Sequence, residues 1–178
     1  MIDLLIIDLE TSRENKLHEI GICSLELETG SIKKEFHAIV KEKGSIIRET
    51  DWIFKNSSLK FEDVLKAKYI DDYKPEIQTL FDNAQYITAY NCKFDLELLI
   101  KLGFNLPEVF FDPMIVLTDM LMIHNQWGYK YPSMEEAYRF LFPSECAYRE
   151  KHRALEDALD EAKIIRKTYQ LLKQQIGI

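Results

Sequence analysis

The sequence predicts an α/β domain, and three observations carry that prediction. A short run of branched apolar residues lies at 4–7, strand-like and helix-like segments alternate through the middle of the chain, and a long amphipathic stretch closes it. At 178 residues the chain is long enough for one sizeable core, so residues 1–178 are read as a single domain. With 47% hydrophobic and 12% aromatic residues, the composition excludes a disordered chain.

Residues 4–7 read as a central strand covered on both faces, with Asp8 to Thr11 at its carboxyl end. Two further strands are expected at 20–27 and 32–40, joined by a turn at Thr29 and Gly30 that makes them antiparallel. The stretch 41–72 has a mixed pattern, with helical character strongest at 59–67. A helix is expected at 75–84, entered through Pro75, then a buried strand at 86–90 and a helix at 93–102 ended by Gly103. A last strand falls at 109–111. Asp112 and Pro113 suit the cap and first position of a helix over 114–124, and Ser133 and Glu136 have the spacing of a capping box. Leu155, Ala158, Leu159, Ala162, Ile165, Tyr169 and Leu172 recur at three- and four-residue intervals, the mark of a long helix with one apolar face.

The formal net charge of -7 argues against a protein that coats long stretches of nucleic acid through lysine and arginine. It leaves room for a small site in which cations held by acids meet a phosphate. Cys23, Cys92 and Cys146 are odd in number and far apart, so neither a disulfide framework nor a zinc cluster is suggested. The first residues lack a basic signal-peptide region, and no apolar run approaches membrane-spanning length. A soluble cytoplasmic protein with no membrane partner is expected.

Asp8 and Glu10 stand two apart on a strand, so their side chains leave one face while Leu9 points to the other. Two oxygen ligands can then converge on one ion, at the strand edge where open α/β sheets bind ligands. Taken alone, the pair reads more readily as two solvated residues at a strand end. Asn91 follows the 86–90 strand and suits a helix cap, which puts Asp95 in the first turns of its helix, where the helix dipole favours a carboxylate. His152 and Asp157 open the last helix. Periodicity does not select Asp157, because Glu156, Asp160 and Glu161 also lie off the apolar stripe.

The ensemble is more specific than its parts. Asp8-Leu9-Glu10-Thr11, then Asn91 with Phe94-Asp95, then His152 with Asp157 five residues on, resembles the three motifs of the DEDDh family of 3′-to-5′ exonucleases. Flanking segments, Glu19-Ile20-Gly21, Ser133-Met134 and residues 151–158, extend the likeness over most of the chain. The resemblance implies a ribonuclease H-like fold with a mixed five-stranded sheet flanked by helices. It further implies two divalent metal ions, Mg²⁺ or Mn²⁺, held by Asp8, Glu10, Asp95 and Asp157, with His152 as general base. Its substrate would be a nucleic acid 3′ end, single-stranded DNA or RNA, cut to nucleoside 5′-monophosphates. Glu10, Thr11, Asn91 and Leu17 are its expected substrate contacts. Leu17 is the one apolar residue in the Ser12 to Leu17 loop available for the terminal base.

The oxygen-rich ligand set suits hard cations, and an imidazole is apt for proton transfer near neutral pH. Arg149, Lys151 and Arg153 bracket His152 and are candidates for phosphate contacts. Trp127, Tyr129 and Tyr131 are read as core aromatics rather than base-stacking groups. Two competing functions remain: a non-catalytic nucleic-acid-binding or scaffold module on the same fold, and a metal phosphatase of small esters. A proofreading role would require a polymerase partner on a separate protein.

Overall fold

The structure is a computed structural model that describes residues 2–176. Strands β1 (Ile2–Thr11), β2 (Leu17–Leu25) and β3 (Ile32–Lys41) form an antiparallel meander. Two short helices follow, α1 (Trp52–Asn56) and α2 (Phe61–Lys66), then β4 (Lys68–Tyr69) and α3 (Ile70–Asp82). Next come β5 (Ala84–Thr88), α4 (Cys92–Lys101), β6 (Glu108–Val109) and α5 (Pro113–Leu121). A small hairpin of β7 (His124–Asn125) and β8 (Gly128–Tyr129) precedes α6 (Met134–Leu141) and the long α7 (Ala154–Ile176).

The main sheet has the order β4-β3-β2-β1-β5-β6, with β5 parallel to β1 and β6 parallel to β5. It is the mixed α/β sheet of a ribonuclease H-like fold, with six strands where five were expected. The additional strand, β4, is two exposed residues paired with the end of β3, too short to carry a periodic signature. α3 starts at Ile70 rather than Pro75, because the Asp72 carboxylate accepts the Tyr69 N–H at 3.1 Å and caps an earlier turn. The mixed stretch contains two short helices instead of one, and α1 was not anticipated at all. Asp112 does cap α5, accepting from Met114 N at 2.9 Å, and Ser133 forms the expected capping box with Glu136.

Period-two alternation along β1 builds both halves of the core. Leu5, Ile7 and Leu9 pack with Ile77, Phe81, Leu96 and Leu99 under α3 and α4. Leu4 and Ile6 face the other way and pack with Ala158, Ala162 and Ile165 of α7. Continuing the alternation sends Asp8 and Glu10 to the α7 side, so the helix that covers the apolar half of β1 also meets its acidic end.

Gly21, opposite Asp8 in the β1–β2 register, sets how closely α7 approaches. A side chain there would collide with the backbone of Ala154 and Leu155, which cannot swing aside as a flexible side chain can. Gly21→Ala is therefore expected to destabilise the fold by about 3 kcal/mol or more, as overpacking against backbone does. A urea unfolding curve unchanged by this substitution would show that α7 can shift freely. Among the described residues, no helix is long and apolar enough to cross a membrane.

Candidate active site

The carboxyl end of β1 is the floor of the site. Asp95 reaches it from the first turn of α4, where its Oδ1 accepts the Leu9 N–H at 3.1 Å, between Asp8 and Glu10. Asn91 stands at the cap position in a left-handed conformation, φ 70°, and its side chain makes no capping bond. Its main-chain carbonyl accepts from Phe94 N instead, at 2.9 Å. The helix is further tied down by Cys92 N, which donates to Asp112 Oδ2 at 2.8 Å.

The opposite wall is the loop entering α7. Asp157 is buried and holds that loop in shape, its Oδ1 accepting from Lys151 N at 3.1 Å and its Oδ2 from Arg153 N at 2.9 Å. The residue at the bend between those two donors is His152, held at φ 53°. Glu10, His152 and Asp157 each bring a ligating atom within 4.8 Å of the others. Trp52 of α1 meets the His152 ring edge-on at 4.8 Å between centroids, and Glu150 Oε1 lies 3.6 Å from His152 Nδ1.

Glu19 faces Glu10 across the β1–β2 pair and would repel it if unpaired. Arg153 grips Glu19 with Nη2 at 2.7 Å and Nε at 2.9 Å, and His37 Nε2 lies 2.6 Å from it. Burial works against the Glu19 carboxylate, yet these partners hold it below the ordinary range. Arg153 thus anchors the helix entry rather than facing a phosphate. Lys151 similarly pairs with Glu156 and Asp160, each at 3.5 Å.

With those cations directed elsewhere, the acids of the floor confront one another. Burial raises Asp8 most, followed by the charges of Glu161, Asp95, Glu10 and Asp157. Glu10 is pushed up to about 8 by burial and then by Asp157, Glu19, Glu150 and Asp95. Asp95 and Asp157 are raised as well, burial first, against hydrogen bonds that pull them down. Asp8 Oδ2 is buried without a hydrogen-bond partner. Clustered hard oxygens, one of them orphaned, suit divalent cations, and Glu10, His152 and Asp157 lie close enough together to hold one.

The five catalytic candidates therefore come together, while the expected substrate contacts divide. Thr11 lies at the rim, where Thr11, Ser12, Arg13, Thr50, Trp52 and Lys55 line a shallow depression beside His152. Asn91 lines a separate surface hollow with Asn15, Lys93 and Phe94. Leu17 is corrected: it is fully buried in the core of the sheet, so a terminal base cannot rest on its side chain. Trp127, Tyr129 and Tyr131 are exposed around the small hairpin, not in the core as expected. Trp52, Glu150 and Glu161 were missed. Trp52 sits in the mixed stretch, where no periodicity marks a face.

An acid-lined notch at the end of a central strand, on a ribonuclease H-like sheet, defines a nuclease of the DEDDh type. Residues 5–165 match the exonuclease family RNase_T, and the chain belongs to that family. Membership implies dependence on a divalent metal. Among solved structures, the chain is similar to the nuclease domain of 3′hExo, a DEDDh family member bound to rAMP. That likeness has a TM-score of 0.69 at 14% identity and covers 95% of this chain and 92% of that one. The cell-death related nuclease 4 gives a TM-score of 0.66 at 13% identity, covering 94% of this chain and 64% of its own. Exonuclease I of E. coli in complex with a dT13 oligonucleotide gives 0.68 at 13% identity, over 97% of this chain and 41% of the longer enzyme. A search of curated proteins by sequence returns no match.

Proposed function

We propose that the chain, as one exonuclease domain, removes nucleotides from the 3′ end of single-stranded DNA or RNA and releases nucleoside 5′-monophosphates. The observation that carries this reading is the convergence on one notch of Glu10, His152 and Asp157, within 4.8 Å, with Asp95 bonded to the strand between Asp8 and Glu10. In this reading Asp8, Glu10, Asp95 and Asp157 hold two Mg²⁺ or Mn²⁺ ions. Bound there, such ions lower the pKa of a water and offset charge on the phosphate and leaving oxygen.

The chain's own residues do the rest. His152 takes the proton from the attacking water, with Asp157 fixing its loop and Glu150 beside its Nδ1. Glu10 and the Thr11 backbone receive the 3′-terminal hydroxyl, which restricts cutting to ends, and Asn91 is a further contact to the strand. A nucleic-acid substrate agrees with the neighbours, of which one is bound to rAMP and one to an oligonucleotide. Free Cys23, Cys92 and Cys146 suit a reducing, cytoplasmic setting. A scaffold would gain nothing from buried, mutually repelling acids, which argues for the enzyme.

The test uses 5′-labelled single-stranded DNA and RNA with Mg²⁺ or Mn²⁺. A ladder that shortens stepwise from the 3′ end is expected, and chelation should stop it. Internal cuts, hydrolysis of small phosphate esters alone, or no turnover with either polymer would overturn the assignment.

A further inference from the structure

Glu161 lies on α7 one turn beyond Asp157, on the side of the helix that packs against β1. It is only 2% exposed. Its Oε2 is buried with no hydrogen-bond partner. Asp8 Oδ2 is buried and unpartnered too, and of all surrounding charges Glu161 acts most strongly on Asp8. The Glu161 carboxyl is itself raised, by burial first and then by Asp95, Asp157 and Glu150.

Two buried carboxylate oxygens left without partners, one on β1 and one on the face of α7 packed against it, are a poor arrangement for a core. A buried polar atom is normally satisfied, and a neutral side chain at position 161 would remove both the repulsion and the orphan. Glu156 and Asp160 show the contrast: both pair with Lys151, and Asp160 also with Lys163 at 2.6 Å. Glu161 has no such cation among the described residues. A cation bound by both carboxylates would satisfy the two oxygens at once.

We propose that Glu161 is a fifth acidic ligand of the metal centre, giving its free oxygen to the cation that Asp8 also holds. The inference rests on the metal-dependent reading of the site and deepens it. More carboxylate ligands tighten cation binding, so Glu161 makes the site effective at lower metal concentration.

Mn²⁺ binding to the whole protein, measured by titration calorimetry and by the electron paramagnetic resonance of bound Mn²⁺, tests it. Glu161→Gln keeps the shape and removes the charge, and is expected to weaken binding about tenfold or more while altering the spectrum. Glu161→Asp, which keeps the charge but draws it back, should fall between, and serves if the glutamine variant fails to fold by circular dichroism. Asp8→Asn is the reference. If Asp8→Asn weakens Mn²⁺ binding while a folded Glu161 variant binds as the parent does, Glu161 is no ligand and the four-acid site stands. If neither substitution affects binding, the metal reading of the whole notch falls with it.

Discussion

Asp8→Asn is expected to make the metal-free protein more stable at pH 8 while abolishing its hydrolysis of nucleic acid. Both effects come from one cause. Glu10 titrates near 8 in the fold against an ordinary 4.5, and Asp8, Asp95 and Asp157 are raised in the same sense. A carboxyl raised by folding keeps its proton when the unfolded chain has released it. Its contribution is neutral below the unfolded pKa and becomes unfavourable as pH climbs toward the folded one. Without metal, stability should therefore fall between about pH 5 and 8, at up to roughly 1.4 kcal/mol per pH unit for each proton retained. Glu19 has the opposite sign, but its stabilisation is complete above the ordinary carboxylate range and does not offset the fall. Millimolar Mn²⁺ or Mg²⁺ should reverse the loss by binding the folded state alone. Asp8→Asn deletes one buried carboxyl and one ligand, so the variant should lose the Asp8 share of the pH dependence, while Glu10, Asp95 and Asp157 keep theirs, and should lose much of the response to metal. Its hydrolysis should drop about a thousandfold or more, since cations at such sites supply several kcal/mol of transition-state stabilisation. Melting curves with chelator and with Mn²⁺, from pH 5 to 8, would refute the argument if parent and variant superimposed.

The parts of this site that sequence reveals are those governed by a period or a cap. Asp8 and Glu10 share a face because strand alternation is fixed at two, and the apolar residues before them declare which strand it is. Asp112 and Ser133 announce their helices through local hydrogen bonds that need no tertiary partner. Leu17 was misassigned because the loop was taken to run up to it, whereas β2 begins there and carries it into the core. Arg153 looked available for phosphate because its partner, Glu19, is 134 residues away. Glu161 was grouped with Glu156 and Asp160 as lying off the apolar stripe of α7, whereas it sits on the side of the helix that packs against β1. What distinguishes it is burial against the acidic end of β1, a consequence of where Gly21 lets the helix lie.

His152 provides the second large effect, and its backbone makes the test sharper. At φ 53° it occupies a conformation that side chains other than glycine adopt reluctantly, kept there by the Asp157 carboxylate bonding to the residues on either side. Glycine at this position would relax the backbone, so His152→Gly should fold with at least the parent's stability apart from the lost contact with Trp52. Hydrolysis, in contrast, should slow by about a hundredfold to ten-thousandfold, the range associated with a positioned proton acceptor. Because the ring also stands within ligating distance of Glu10 and Asp157, Mn²⁺ affinity must be measured on the same variant. Slow hydrolysis with unchanged Mn²⁺ affinity identifies His152 as the base. A matching loss of affinity would make it a metal ligand instead, and Glu150, half-buried beside it with its carboxyl raised to about 7, would become the nearest proton acceptor. Glu150→Gln separates those outcomes, since it should alter the pH dependence of hydrolysis strongly only if Glu150 carries the proton.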